Sequence, residues 1–315
     1  MKLRKHLINN LLTALLCLSC CSVSAQTKQT YLYAVKDTSK LYMDVYLPEK
    51  QNDRKACLFF VFGGGYIGGS RDDNQIQMVK KHYTDKGYVV IGIDYRLGLK
   101  NADNFNIVTG VKNYERAVRI ATEDLISAIA YTLNNLNANG TISINSENVV
   151  VMGSSAGAIT ALQADYAICN GFYNTSELPD TFHIAGVVSY SGAIFSTKGG
   201  PKYRNHAPAP TLFCHGTEDR LVIYNKIQLF NLGLFGSDYL ARRFDKKGYG
   251  YHIRRYEGLG HQVAGFYQSE FDEIDVFLEK VVFGNRKIQR DETYYDPDIK
   301  PMYLKFKIRD LETVK

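Results

Sequence analysis

The chain of 315 residues contains no tryptophan and only six cysteines. Three of the six, Cys17, Cys20 and Cys21, fall within the first 25 residues, which leaves Cys57, Cys169 and Cys214 for the body of the protein. An odd number cannot pair completely, and Cys57 and Cys214 stand inside apolar, strand-like runs where a cysteine serves as a small buried hydrophobe. No essential disulfide framework is expected. No Cys/His spacing matches a structural zinc site. Charge of one sign is also scarce: the formal net charge of +6 falls to +3 once Lys2, Arg4 and Lys5 are set aside. So weak a balance excludes nucleic acid as the expected partner. After the N-terminal segment, no stretch approaches the ~18 unbroken apolar residues of a membrane-spanning helix, so no span is expected in the mature chain.

What is present is a hydrophobic content of 45% spread over alternating strand-like and helix-like runs. That suffices for one large core, and a single domain is expected rather than two. The N-terminus reads as a secretory signal over residues 1–25: a positive start at Lys2, Arg4 and Lys5, an apolar stretch from Leu11 to Leu18, and the small residues Val23-Ser24-Ala25 before Gln26. Export to the periplasm or the exterior is the expectation. A lipid anchor on Cys17, Cys20 or Cys21 is the lesser alternative, because the residues before each fit a lipoprotein signal poorly.

The organising stretch is Asn148 to Gly157, an apolar β-branched run that ends abruptly in Gly153-Ser154-Ser155-Ala156-Gly157 and passes into a helical pattern from Ala158 to Ala167. A strand, a sharp turn and a helix follow in sequence. The glycines two before and two after Ser155 remove side chains that would collide in such a turn, and the serine hydroxyl is lifted to a helix N-terminus beside the amide of Ala156. Ser155 is the candidate nucleophile. Before it, Tyr31–Val35 and Leu41–Leu47 alternate as a hairpin. The apolar strand Ala56–Phe62 empties into Gly63-Gly64-Gly65-Tyr66-Ile67-Gly68-Gly69. A helix over Asn74–Lys86 and a buried strand over Tyr88–Ile93 complete a β-α-β unit of a parallel sheet. Leu97–Lys112 reads as a loop, and Tyr114–Leu136 as a long helix. After the serine, the irregular segments Asn170–Thr181 and Gly192–Pro210 flank a strand at Ile184–Ser189. The pattern then predicts strands at Thr211–Cys214 and Tyr251–Tyr256, a helix at Tyr224–Phe235 between them, and a closing helix over Gly265–Val282. The boundaries are thus 26–283 for the domain and 284–315 for a C-terminal tail that packs on it or trails from it.

Acyl transfer at a serine requires a base, a carboxylate to orient that base, and N–H donors for the tetrahedral oxyanion. His261 follows the last strand behind Gly260, where a loop can carry an imidazole over the sheet edge. Asp219 follows the preceding strand by a few residues, with Glu218 as its rival. Gly64 and Gly65, together with Ala156, are the candidate donors of the oxyanion hole. The glycine run lacks the following Lys-Ser/Thr of a phosphate-binding loop, which argues against nucleotide binding. His215 reads as a hydrogen-bonded structural histidine, and His206 as a loop residue. Asp94, Arg96 and Asp124 read as an ion-paired scaffold beneath the glycine loop. The 23 tyrosines suit contacts to sugars or aromatic acyl groups and suit core edges equally.

Phe62-Gly63-Gly64-Gly65, Asp94-Tyr95-Arg96, Gly153-Ser154-Ser155-Ala156-Gly157, His215-Gly216-Thr217-Glu218-Asp219 and Gly260-His261 together resemble the α/β-hydrolase superfamily. The resemblance is to its esterase/lipase branch, near the hormone-sensitive-lipase-like carboxylesterases, and spans about Tyr31 to Phe283. It implies an α/β fold with a mostly parallel eight-stranded sheet and helices on both faces. It also implies the order serine, acid, histidine seen here, and a carboxylic-ester hydrolase that works through an acyl-enzyme without metal or organic cofactor. The family usually carries histidine where Phe62 stands, which places the bracing of the glycine loop in question. Its N-terminal cap has little counterpart here, a feature closer to exported acetyl-xylan and feruloyl esterase-like members. The implied substrates are short acyl or hydroxycinnamoyl esters, carbohydrate-linked ones included. A serine peptidase of the same fold and a non-catalytic binding protein on a hydrolase scaffold are the alternatives.

Overall fold

The computed structural model describes residues 28–102 and 107–302. The signal segment at 1–25, part of the expected 97–112 loop and the end of the tail lie outside the described residues.

Strands β1 (Lys28–Lys36) and β2 (Ser39–Tyr46) form the antiparallel hairpin that the alternation predicts, with a register shift between Leu32 and Ala34. The four apolar runs become β3 (Cys57–Val61), β4 (Val89–Ile93), β5 (Val149–Ser154) and β6 (Gly186–Tyr190), each buried along its whole length. Strands covered on both faces need no polar alternation, which is why their sequences are continuous apolar runs. They join β8 (Thr211–Gly216), β11 (Tyr251–Tyr256) and β12 (Gln289–Tyr294) in a nine-stranded sheet of order β1-β2-β4-β3-β5-β6-β8-β11-β12. All pairings from β4 onward are parallel. Helices α1 (Asn74–Asp85) and α5 (Tyr267–Phe277) pack together, as do α2 (Ile107–Tyr131) and α3 (Ala156–Ile168). Helix α4 (Ser237–Lys247) packs on β8 and β11.

The sheet therefore has nine strands where eight are expected. The additional one, β12, comes from the tail and pairs in parallel with β11. Its sequence Gln-Arg-Asp-Glu-Thr-Tyr is exposed almost throughout, so it carries no core pattern. Charges hold it instead: Arg255 on β11 grips Asp291 at 2.6 and 2.8 Å. Charged side chains also protect an open sheet edge from further pairing.

The second departure is the segment read as a helix at Tyr224–Phe235, which is a hairpin of β9 (Lys226–Leu229) and β10 (Leu232–Gly236). With β7 (Ala193–Ser196), inside the segment expected to be irregular, these strands form a separate three-stranded sheet. The apolar residues Ile227, Leu229, Leu232 and Leu234 sit at spacings that suit either period. The turn decides, with Phe230 in the left-handed region at φ 52°. Cys57, Cys169 and Cys214 are buried and unpaired.

Candidate active site

Ser155 sits between β5 and α3 at φ 50° and ψ −118°, a backbone state that a side-chain-bearing residue adopts only under constraint. The constraint is visible on both sides. A Cβ at Gly153 would run into the backbone of Gly157, and one at Gly157 into the carbonyls of Val61 and Phe62. The amide of Ser155 donates to the Tyr190 carbonyl at 2.8 Å, and Ser154 Oγ donates to the Ala264 carbonyl at 2.7 Å. The second bond ties the turn to the loop that bears the histidine.

That loop leaves β11 and brings His261 to the first position of a short helical turn, His261–Gly265. Its ring joins the other two candidates. Ser155 Oγ lies 2.8 Å from His261 Nε2, and His261 Nδ1 lies 2.8 Å from Asp219 Oδ2. A carboxylate only accepts, so Nδ1 carries the proton and Nε2 of the neutral ring is free to accept from the serine. Ser155 retains 9% of its exposure, so the nucleophile is sheltered yet reachable.

Asp219 is fixed from four directions. Oδ1 accepts from the amides of Leu221 and Val222 at 2.9 and 3.0 Å. Oδ2 faces His261, and His215 Nε2 at 3.3 Å. Burial by itself raises the carboxyl's pKa, but the hydrogen bonds from the two imidazoles outweigh it and hold the group below the ordinary carboxylate range. Glu218 does not share this position. Its side chain is half exposed and faces Arg220, while its amide donates to the Leu259 carbonyl at 2.9 Å.

The glycine loop passes against the serine: a Cβ at Gly63 would touch Ser155 Cβ and Ser154. Gly64 and Gly65 have φ of 108° and 63°, and the Gly64 carbonyl accepts from the amides of Ile67 and Gly68 at 3.0 and 3.1 Å. A Cβ at Gly65 would meet nothing within 4 Å, so the loop is open on that side, and Ala156 begins α3 directly after Ser155. In place of the family's histidine, Phe62 stacks on Tyr95 with ring centroids 4.3 Å apart. The Tyr95 hydroxyl donates to the carbonyls of Phe62 and Gly63 at 2.9 and 3.2 Å, and the Tyr66 hydroxyl donates to the Ala156 carbonyl at 2.9 Å. Two tyrosines thus brace the loop through contacts 33 and 90 residues apart in sequence, which leave no local pattern although both lie within recognisable motifs.

The expected scaffold is rearranged. Arg96 binds Asp124 through its backbone amide and its guanidinium, at 2.8 to 3.1 Å. Asp94 pairs instead with Arg71 at 2.7 Å. His206 stacks edge-on against His183 at 4.6 Å. Elsewhere, His252, Glu273 and Glu292 place metal-ligating atoms within 4.8 Å of one another, but Arg290 lies against both carboxylates and opposes a cation there.

Residues 43–198 match the BD-FAE family model. The structure superposes on the apo form of Thermogutta terrifontis esterase 2 with a TM-score of 0.59 and 19% identity, covering 81% of this chain and 95% of that one. The butyrate-bound form of the same esterase gives the same values. Among characterised sequences, gut esterase 1 of Caenorhabditis briggsae is 27% identical over 123 residues, 39% of this chain and 20% of that protein. The non-reducing polyketide synthase ausA of Emericella nidulans is 34% identical over 73 residues, 22% of this chain and 3% of the synthase. The chain thus spans a fifth or less of these two relatives.

Proposed function

We propose that the chain, whose residues 43–198 match the BD-FAE family model, is an α/β-hydrolase of the esterase/lipase branch and hydrolyses carboxylic esters through an acyl-enzyme on Ser155. The observation that carries the proposal is the unbroken chain from Ser155 Oγ through His261 to Asp219, with both links at 2.8 Å.

In this reading His261 Nε2 takes the hydroxyl proton as Ser155 Oγ bonds to the ester carbonyl carbon. The carbonyl π electrons move onto oxygen, and the amides of Ala156, Gly64 and Gly65 face the resulting oxyanion. Each such donor contributes about 3 kcal/mol to the transition state in related sites. Asp219 holds the imidazolium that has formed. When the bond to the alcohol oxygen breaks, His261 returns its proton to the leaving group. A water then attacks the acyl carbon with His261 as base, the carboxylic acid leaves and Ser155 is regenerated. Every proton moves between groups of the chain, substrate and water, so the scheme needs no metal or organic cofactor.

The substrates in this reading are short acyl or hydroxycinnamoyl esters, carbohydrate-linked ones included, met outside the cytoplasm after export. This substrate class rests on the family resemblance and on the expected export; the aromatic rings near the glycine loop, Tyr66 and Phe195 with Tyr114 against them, are packed into the core. The test is a chain-length series of p-nitrophenyl esters beside acetylated xylan and methyl ferulate. Turnover should be highest for short chains or the ferulate. Aminoacyl amides turned over faster than every ester would replace this reading with a peptidase.

A further inference from the structure

His215 is fully buried at the end of β8, four residues before Asp219. Its ring is held at both nitrogens. Nδ1 lies 2.8 Å from Ser237 Oγ at the start of α4. Nε2 lies 3.0 Å from the Val222 carbonyl and, as a second and longer contact, 3.3 Å from Asp219 Oδ2. Carbonyl and carboxylate oxygens only accept, so the proton must sit on Nε2, and Nδ1 of the neutral ring accepts from the Ser237 hydroxyl. Val222 is also the residue whose amide donates to Asp219 Oδ1. One imidazole therefore grips both the acid and the backbone turn that presents it.

We propose that His215 is a positioning residue for the reaction, clamping the Asp219 turn from beneath and sharing the carboxylate with His261 so that Oδ2 stays aimed at the base. The inference rests on the reading of Ser155, His261 and Asp219 as a catalytic chain. Asp219 without this donor keeps its two backbone bonds to Oδ1 and its bond from His261, but the Val222 carbonyl loses its partner and the turn that presents the acid is held less firmly, which would loosen the alignment of His261 with Ser155. The arrangement also divides the charge of Oδ2 between two N–H groups. Removal of one concentrates it on His261, so that the imidazolium is better held and the neutral base is lost at a higher pH.

The charged and titratable groups around His215 are few. The acid turn contributes Asp219, with His261 beyond it. Strand β11 contributes Arg255, its register partner, which is bound to Tyr224 and to Asp238 of α4. The Tyr224 ring lies edge-on to His215 at 5.5 Å. Past the end of β6, the Ser191 amide donates to the Cys214 carbonyl and the Gly192 carbonyl lies 3.4 Å from Ser237 Oγ; neither residue carries a charge.

The experiment compares His215→Phe, which keeps the ring and removes both polar atoms, with His215→Gln, whose amide can restore a donor near Nε2. For His215→Phe, kcat on p-nitrophenyl acetate should fall roughly ten- to a hundredfold, as for a modest misalignment of the reacting groups, with KM little changed. The acid limb of its kcat/KM profile should move up by about half a pH unit, and His215→Gln should recover most of both effects. A folded His215→Phe with an unmoved limb, or two variants impaired equally, would overturn the proposal. Nitrogen-15 histidine spectra of the unmutated protein supply an arm that needs no variant to fold: His215 must be the Nε2–H tautomer, and a proton on Nδ1 alone refutes the clamp. Labelling of the unmutated chain by a fluorophosphonate is the separate control. Its absence would sink the esterase reading, whereas labelling with an indifferent His215→Phe would sink only the clamp.

Discussion

Replacing Asp219 by Asn should disable the site while leaving its shape nearly intact, because the structure dictates which way the new amide points. Oδ1 accepts from the amides of Leu221 and Val222. Only the carbonyl oxygen of asparagine can do so, and its NH2 group must therefore take the place of Oδ2. There it meets His261 Nδ1, which now has to accept. The ring proton is forced onto Nε2, and the base presents a donor to Ser155 in place of a lone pair. The wrong tautomer costs roughly a thousand- to ten-thousandfold in kcat, or about 4 to 5.5 kcal/mol of barrier. The same NH2 also faces the Nε2–H of His215, an opposition of two donors that should lower stability by about 1–3 kcal/mol. The assay is steady-state hydrolysis of p-nitrophenyl acetate, with circular dichroism to establish folding and thermal melting to measure the stability loss. KM should stay within a few-fold. A folded Asp219→Asn variant that lost less than tenfold in kcat would show that Asp219 does not set the tautomer of His261.

Other predictions follow from the bracing of the loop and from a buried acid outside the site. Tyr95→Phe removes the hydroxyl that donates to the Phe62 and Gly63 carbonyls. It should cost about 1 kcal/mol of stability for the lost hydrogen bonds and several-fold in kcat as the Gly64 and Gly65 amides loosen; unchanged kinetics would show that the stack on Phe62 suffices. Asp165, buried in α3, meets the Ala209 amide at 3.2 Å and the Cys169 thiol at 3.7 Å. Burial pushes its carboxyl up to about 7. An acid whose folded value is raised binds its proton more tightly in the folded state, so it favours folding fully below the ordinary carboxylate range, and that contribution is lost as pH rises through about 7. Urea unfolding should show this decline between roughly pH 4 and pH 7, flattened in Asp165→Asn. An identical slope in the two proteins would count against it.

The parts of the site that could be read from the sequence are those where steric necessity leaves a local signature. Gly153 and Gly157 flank Ser155 because no side chain fits beside Gly157 or Val61, and that pattern is contiguous. His261 and Asp219 are legible through their places just after strands. What supports them is made by long-range contacts and leaves no local pattern. Tyr95 reaches back 33 residues to the Phe62 carbonyl, and Ser237, which anchors His215, lies 22 residues beyond it. The same holds for the fold. Buried strands such as Val149–Ser154 announce themselves by composition. Strand β9, wholly exposed, and β12, held by Arg255 and Asp291, have no buried face to impose a period, and in β10 two of the three buried positions are the glycines Gly233 and Gly236, which add no apolar signal.

The proposed chemistry begins at one hydroxyl, and covalent mapping can reach it. The folded chain, treated with a fluorophosphonate and digested, should yield a single modified peptide with the adduct on Ser155, lost in His261→Ala and in Ser155→Ala. An adduct on another residue, or none while the chain is demonstrably folded, would contradict it.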